Sequence, residues 1–106
     1  MPGTPATRLF AVVAGDTGAL KSGSGVTASV RTGEGQYTVT FGRSVEGCAL
    51  LATPGVSNPL QGDDIYQAGS RATLLAVGTD QVAVATRNND GSAYADRSFS
   101  IAAFCP

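Results

Sequence analysis

Histidine and tryptophan are absent from this 106-residue chain, and lysine occurs once, as Lys21. Histidine is the common general base of nucleophilic triads, so its absence argues against that kind of enzyme and excludes histidine metal sites. Two cysteines cannot complete a four-ligand zinc site without help from carboxylates. No phosphate-binding glycine loop with a lysine is present. The sequence therefore predicts a protein with no enzymatic activity and no metal or other cofactor.

Charge is also scarce. Charged residues make up 14% of the chain, against about 25% in an average domain. The net charge is −1 and no basic cluster is present, so we expect no nucleic-acid partner. No run of about 18 apolar residues occurs, so we expect no membrane span. A surface with so little charge is either partly covered by other copies of the chain or coated with threonine, serine, asparagine and glutamine.

The length corresponds to one domain. The first seven residues, MPGTPAT, lack the charged and apolar regions of a signal peptide. We interpret residues 1–7 as the remnant of a linker and residues 8–106 as a single β domain, excised from a longer secreted chain. A chain of this size buries only about 60–70% of its unfolded surface, so a disulfide or partner subunits would help to stabilise its thin core.

The two cysteines, Cys48 and Cys105, predict a disulfide bond. Paired cysteines in a small chain with little lysine are typical of oxidising compartments. Cys48 lies near the start of one predicted strand and Cys105 at the end of another, and antiparallel pairing brings a start beside an end. The alternative is a pair of buried free thiols.

Apolar and polar residues alternate along most of the chain with the period of two that half-buried strands show. The clearest case is Gln36–Phe41, which follows a hairpin turn at residues 32–35. We predict seven strands, at residues 8–14, 26–31, 36–41, 45–53, 71–77, 81–86 and 96–105. We interpret Lys21–Gly25 as a flexible connector, and we expect Val26, Ala28 and Val30 to share one face. Short strands between glycine and asparagine turns predict a small all-β fold, an antiparallel sandwich or barrel that is jelly-roll-like.

Residues 54–70, PGVSNPLQGDDIYQAGS, form the longest irregular segment, and a loop of this length inside a domain is usually functional or disordered. Tyr66 in this segment and Tyr94 in a later turn are the candidates for stacking on sugars. Asp63 and Asp64 are candidates for calcium binding with help from loop carbonyl oxygens, and solvated turns are the alternative. These four residues make up the predicted ligand-binding site.

The segment Asp16-Thr17-Gly18-Ala19 matches the short signature of aspartic proteases. Such an enzyme needs a second carboxylate opposite the first to share its proton, which a dimer would supply. The aspartate of that family follows an apolar strand directly, whereas Gly15 intervenes here, and the Gly42-Arg43 pair lies too early in the chain for the second element of the family. We therefore interpret this segment as a hairpin turn.

Nearly the whole chain, residues 8–106, resembles a domain at the C-terminal end of bacterial, especially actinobacterial, collagen-like proteins. The first part of that pattern is an apolar strand followed by an Asp-Gly-x-Leu element and then Gly-Val. In this sequence it corresponds to Asp16, Gly18, Leu20, Gly25 and Val26, and Thr17 and Ala19 depart from the spacing of the pattern. The central part corresponds to Gly35, Tyr37, Val39, Phe41, Val45, Cys48, Ala49, Ala52 and Thr53. The last part corresponds to Asp96, Arg97, Phe99, Phe104 and Cys105.

The resemblance implies a homotrimer, because collagen needs three chains and a globular head on such a stalk sets the trimer and its register. The expected function is that of a non-enzymatic, structural and adhesive head domain of a secreted or cell-surface protein. Similar architectures cap phage tail fibres, so a virion fibre is the alternative location. The alternative function is that of a monomeric module that binds surface glycans or host proteins through residues 54–70.

Overall fold

Two four-stranded antiparallel sheets pack face to face in a computed structural model that describes residues 7–54, 71–88 and 92–105. The strands are β1 (Thr7–Val13), β2 (Leu20–Ser24), β3 (Val26–Gly33), β4 (Gln36–Phe41), β5 (Ala49–Pro54), β6 (Arg71–Ala76), β7 (Gln81–Arg87) and β8 (Phe99–Cys105). These ranges contain no helix. The predicted all-β antiparallel sandwich is confirmed.

The chain alternates between the two sheets. Sheet A has the strand order β2-β1-β8-β5, and sheet B has the order β3-β4-β7-β6. The chain therefore crosses from sheet A to sheet B after β2, returns for β5, crosses again to β6 and β7, and ends with β8 in the middle of sheet A. Residues 1–6, 55–70, 89–91 and 106, which include most of the predicted linker and most of the predicted 54–70 loop, lie outside the described residues.

The core lies between the two sheets and is built by the residues whose alternation is visible in the sequence. In β8, Phe99, Ile101, Ala103 and Cys105 are buried while the residues between them are more exposed. In sheet B the same pattern buries residues 37, 39 and 41 of β4 and residues 82, 84 and 86 of β7. Each large apolar side chain buried in this way stabilises the fold by about 1.5–3 kcal/mol.

The prediction of a flexible connector at Lys21–Gly25 was wrong, because most of this segment belongs to β2. All five residues of β2 are exposed, so the strand has no buried face and no apolar alternation. It is an edge strand held by backbone pairing to β1, with Phe10 opposite Ser24 and Val12 opposite Ser22. Backbone pairing of this kind leaves no pattern in the side chains.

Two strands begin later than predicted, and the side-chain alternation of a third differs from the prediction. The strand expected to begin at Asp96 begins at Phe99. The strand expected to begin at Val45 begins at Ala49, because Val45 is buried in a turn where its carbonyl oxygen accepts a hydrogen bond from the backbone N–H of Cys48. In β3 the register shifts between Val26 and Ala28. A bulge of this kind adds one residue and reverses the side-chain alternation. Val26 therefore packs on the core while Val30 is exposed.

The predicted disulfide between Cys48 and Cys105 is confirmed, and neither thiol is free. Cys48 lies directly before β5 and Cys105 ends β8. These two strands pair antiparallel, with Ala49 opposite Phe104, so the start of one lies beside the end of the other. The bond joins residues 57 positions apart and closes the chain around β5, β6, β7 and β8.

Candidate functional site

The outward side of sheet A carries large apolar side chains where a solvated sheet usually carries polar ones. We call the outward residues of β1, β8 and β5 the sheet A face: Arg8, Phe10, Val12, Ser100, Ala102, Phe104, Ala49, Leu51 and Thr53. Phe10 is 46% exposed, Leu51 60% and Phe104 42%. Arg8 is the single charged residue of this face. The face is therefore almost uncharged and rich in exposed apolar surface.

The strand register arranges these apolar side chains in rows. Phe10 and Leu51 are both register partners of Ala102, one on each side of β8. Because alanine is short, a concave groove of about 430 Å³ lies over Ala102 between the two larger side chains. Val12, Thr53 and Ser100 complete one end of its outward lining. This groove can accept an apolar side chain but offers few hydrogen-bond partners.

The outward side of sheet B differs, because its groove is lined by both polar and apolar side chains. We call this the sheet B groove. It has a volume of about 270 Å³, and its outward-facing lining comprises Thr32, Gln36, Thr38, Thr73, Leu75, Ala83, Ala85 and Tyr94. The outward side chains of β7, in the middle of the sheet, are the small Ala83 and Ala85, flanked by the longer ones of β4 and β6. The groove therefore runs along β7 and ends at Tyr94.

Arg87 lies against the ring of Tyr94 at that end of the groove. The guanidinium carbon is 4.4 Å from the ring centroid, which is a cation–π contact. The two residues also form an isolated β-bridge. Arg87 makes no ion pair with any residue in the described ranges. Its positive charge is therefore unpaired within this part of the protein.

A polar cluster closes one end of the sandwich, centred on Asp96. One carboxylate oxygen of Asp96 accepts a hydrogen bond from the backbone N–H of Gly35 at 2.7 Å, and the other lies 2.9 Å from an Arg31 terminal nitrogen. The hydroxyl of Tyr37 donates to the carbonyl of Gly15 at 2.6 Å and lies 3.2 Å from Asp96 Oδ1. No buried side-chain nitrogen or oxygen in the described residues lacks a hydrogen-bond partner. The cluster ties the segment before β8 to β3, β4 and the turn after β1.

Burial and hydrogen bonding act in opposite directions on this cluster. Partial burial alone would raise the pKa of Asp96, but the hydrogen bonds from Arg31 and Gly35 and the positive charge of Arg31 outweigh it and hold that pKa below its usual value. Burial, with a contribution from the charge of Asp96, raises the pKa of Tyr37 to about 12. The cluster therefore favours an ionised Asp96 carboxylate beside a neutral Tyr37 phenol.

The predicted ligand residues are only partly covered by the structure. Asp63, Asp64 and Tyr66 lie outside the described residues. Tyr94 is 44% exposed and lines the sheet B groove. The protease-like segment 16–19 lies in the turn between β1 and β2, where the N–H of Gly18 donates to the carbonyl of Ala14 at 2.8 Å, and Asp16 is exposed.

Sequence reasoning missed the sheet A face, and of the residues that line the sheet B groove it singled out only Tyr94 as a ligand-binding candidate. The period of two identifies Phe10, Leu51 and Phe104 as facing away from the core, but it does not show that they lie side by side. The signal that was available is the size of these residues at outward positions where threonine or serine would be usual. Arg87 was missed because its partner, Tyr94, follows a separate turn.

The fold places the protein in the class of small all-β antiparallel sandwiches with one intramolecular disulfide bond. No group of three or more histidine, cysteine, aspartate or glutamate residues in the described ranges is arranged to hold a metal ion. In those same ranges no helix is long and apolar enough to cross a membrane. No protein-family model matches the chain, and comparisons with curated proteins and with solved structures give no significant match.

Proposed function

We propose that the chain is a non-enzymatic, trimerising head domain of a secreted or surface-displayed collagen-like or fibre protein, with a structural and adhesive role. The observation that carries this proposal is the apolar sheet A face. In the proposed assembly three copies of the chain bury their sheet A faces against one another around a common axis.

The exposure of the sheet A face supports an interface there. Contiguous exposed apolar surface marks interaction sites more often than scattered single residues do. Phe10 and Leu51 are about half-exposed on either side of Ala102, and covering such a side chain contributes on the order of 1 kcal/mol. A single charge at Arg8 leaves little desolvation cost to oppose this gain.

The groove over Ala102 supports an assembly in which different surfaces meet. In a ring of three subunits each interface joins two different patches, so a concave patch on one copy receives a projecting side chain from the next. The volume of about 430 Å³ is sufficient for such a side chain. A two-fold dimer would instead place the groove against itself.

Three further features support the stalk-head interpretation. The resemblance to the C-terminal domains of collagen-like proteins favours three chains, because a collagen stalk is made of three. We propose a jelly-roll-like arrangement, supported by the presence of eight strands in two four-stranded antiparallel sheets. The disulfide between Cys48 and Cys105 supports an oxidising location, which suits a secreted protein, a cell-surface protein or a virion fibre.

Light scattering coupled to gel filtration tests the proposal. We expect three times the chain mass of 10.6 kDa at micromolar concentration. Leu51→Lys should produce monomers that remain folded, because Leu51 is 60% exposed and takes no part in the core. The matched control is Leu75→Lys, since Leu75 is 68% exposed on the opposite side of the sandwich. That variant should keep the trimer mass.

Three results would count against the proposal: a monomeric wild type at micromolar concentration, a stable dimer, or equal dissociation of both lysine variants. The alternative function, a monomeric glycan- or protein-binding module that uses residues 54–70, predicts the first of these results. The same measurement therefore separates the two functions.

A further inference from the structure

The sheet B groove has a chemistry that the proposed trimer does not use. We propose that it binds one acidic sugar residue, a uronic acid of a polysaccharide, with the sugar carboxylate beside Arg87. This inference does not rest on the trimer, because the groove lies on the outward side of sheet B and the proposed interface lies on the outward side of sheet A.

The shape of the groove suits a single sugar ring. Ligand pockets are usually about 300–1,000 Å³, and the sheet B groove, at about 270 Å³, lies just below this range. Its floor is formed by Ala83 and Ala85, and longer side chains of β4 and β6 stand on either side. The apolar face of a pyranose ring can rest on this floor while its hydroxyl groups point toward the walls.

The walls of the groove carry hydrogen-bonding groups that have no partner among the described residues. The hydroxyls of Thr38 and Thr73 and the amide of Gln36 line the groove. Each hydroxyl can donate and accept, and the amide can do both. A protein interface would bury such groups at a cost unless each found a matching partner. A ligand with many hydroxyl groups supplies those partners, so the lining favours a carbohydrate.

The positive charge at one end selects an acidic sugar over a neutral one. Arg87 makes no ion pair in the described part of the chain, and its guanidinium is held in place by the ring of Tyr94. Arginine binds carboxylates through paired hydrogen bonds, which matches the acid group of a uronic acid.

Nuclear magnetic resonance titration of the whole chain with trigalacturonic acid tests the inference, with neutral galactotriose and inorganic phosphate as separate titrants. We expect trigalacturonic acid to shift the backbone amide signals of Gln36, Thr38 and Ala85. Galactotriose should shift the same signals but bind with about tenfold lower affinity, because it lacks the carboxylate and so loses about one hydrogen bond to a charged group. Phosphate alone should not compete at equal concentration, because it lacks the ring.

Arg87→Gln should weaken the binding of trigalacturonic acid about tenfold and leave galactotriose unchanged. Arg43→Gln is the matched control, because Arg43 is an exposed arginine in the turn before β5, outside the groove. A second variant, Ala85→Leu, places a larger side chain on the groove floor at an outward position and should remove the binding of both sugars.

Four results would overturn the inference. These are the absence of binding at millimolar concentration, equal affinity for the acidic and neutral trisaccharides, displacement by phosphate, and shifts confined to residues 54–70. None of them depends on the mass of the particle, so failure of the groove and failure of the trimer are distinguishable.

Discussion

Removing the disulfide should cost this protein a large part of its stability. The perturbation is the double substitution of Cys48 and Cys105 by alanine, compared with the wild type after reduction. The bond joins residues 57 positions apart. In the chain-entropy description a loop of this length corresponds to about 4 kcal/mol at 25 °C. Domains of this kind have about 5–15 kcal/mol in total, so the loss should bring the protein close to unfolding.

Urea unfolding followed by circular dichroism measures the effect. We expect the free energy of unfolding to fall by about 4 kcal/mol and the melting temperature by about 15–30 °C. The dependence on urea should become steeper, because an unfolded chain without the cross-link exposes more surface. All samples need the same protein concentration, since an oligomer would make the stability depend on it.

Reduced wild type serves as the control for the substitutions themselves. Cys105 is almost fully buried, so replacing it with alanine also removes packing that reduction alone leaves in place. If the constraint on the unfolded chain dominates, the reduced wild type and the double variant should agree within about 1 kcal/mol. A loss below about 1 kcal/mol on reduction, or an unchanged dependence on urea, would refute the loop-closure argument.

Three other predictions concern the polar cluster and the turns. Asp96→Asn should lower the free energy of unfolding by about 1.5–3 kcal/mol at neutral pH. Because the pKa of Asp96 is lowered in the folded protein, the wild type should lose this advantage over the variant as the pH falls below about 4. A stability difference that persists in strong acid would contradict the role of the ionised carboxylate. Burial raises the pKa of Tyr37 to about 12, so the contribution of the neutral phenol to the free energy of unfolding is present below about pH 10 and is lost as the pH rises toward 12. Tyr37→Phe should remove a component near 12 from the phenolate absorbance titration, and an unchanged titration curve would contradict the raised pKa. Gly35→Ala should destabilise the protein by about 1–3 kcal/mol or more, because φ is +66° and the new methyl group would lie 2.6 Å from the carbonyl oxygen of Thr86. Gly47→Ala should show the backbone strain alone, because φ is +79° and no atom lies within 4 Å of the new methyl group. Equal losses of stability for the two variants in urea titrations would contradict this comparison.

The sequence predicted the parts of the fold that leave a pattern in the side chains. Gln36–Phe41 and the buried half of β8 were predicted because alternate residues face the core, and a period of two records that directly. The disulfide was predicted because antiparallel pairing places the start of one strand beside the end of another. Strand β2 was missed, since an exposed edge strand is held by backbone hydrogen bonds that any sequence can make.

The candidate sites were less accessible to sequence reasoning, because they depend on residues brought together across strands. Phe10 and Leu51 lie 41 positions apart in the sequence, and only the pairing of β1 and β5 with β8 places them on either side of Ala102. Asp96 gave no sign of its position beside Gly35 and Tyr37, although all three belong to the pattern on which the family resemblance rests.

The sequence by itself determined that this chain forms antiparallel strands with two faces and a covalent cross-link, because alternation and cysteine position are local properties. The tertiary structure decided which outward faces are apolar and which are polar, because a strand order such as β2-β1-β8-β5 collects side chains that are distant in the chain. The disulfide belongs to both levels: the sequence supplied the two thiols, and the pairing of β5 with β8 brought them into contact.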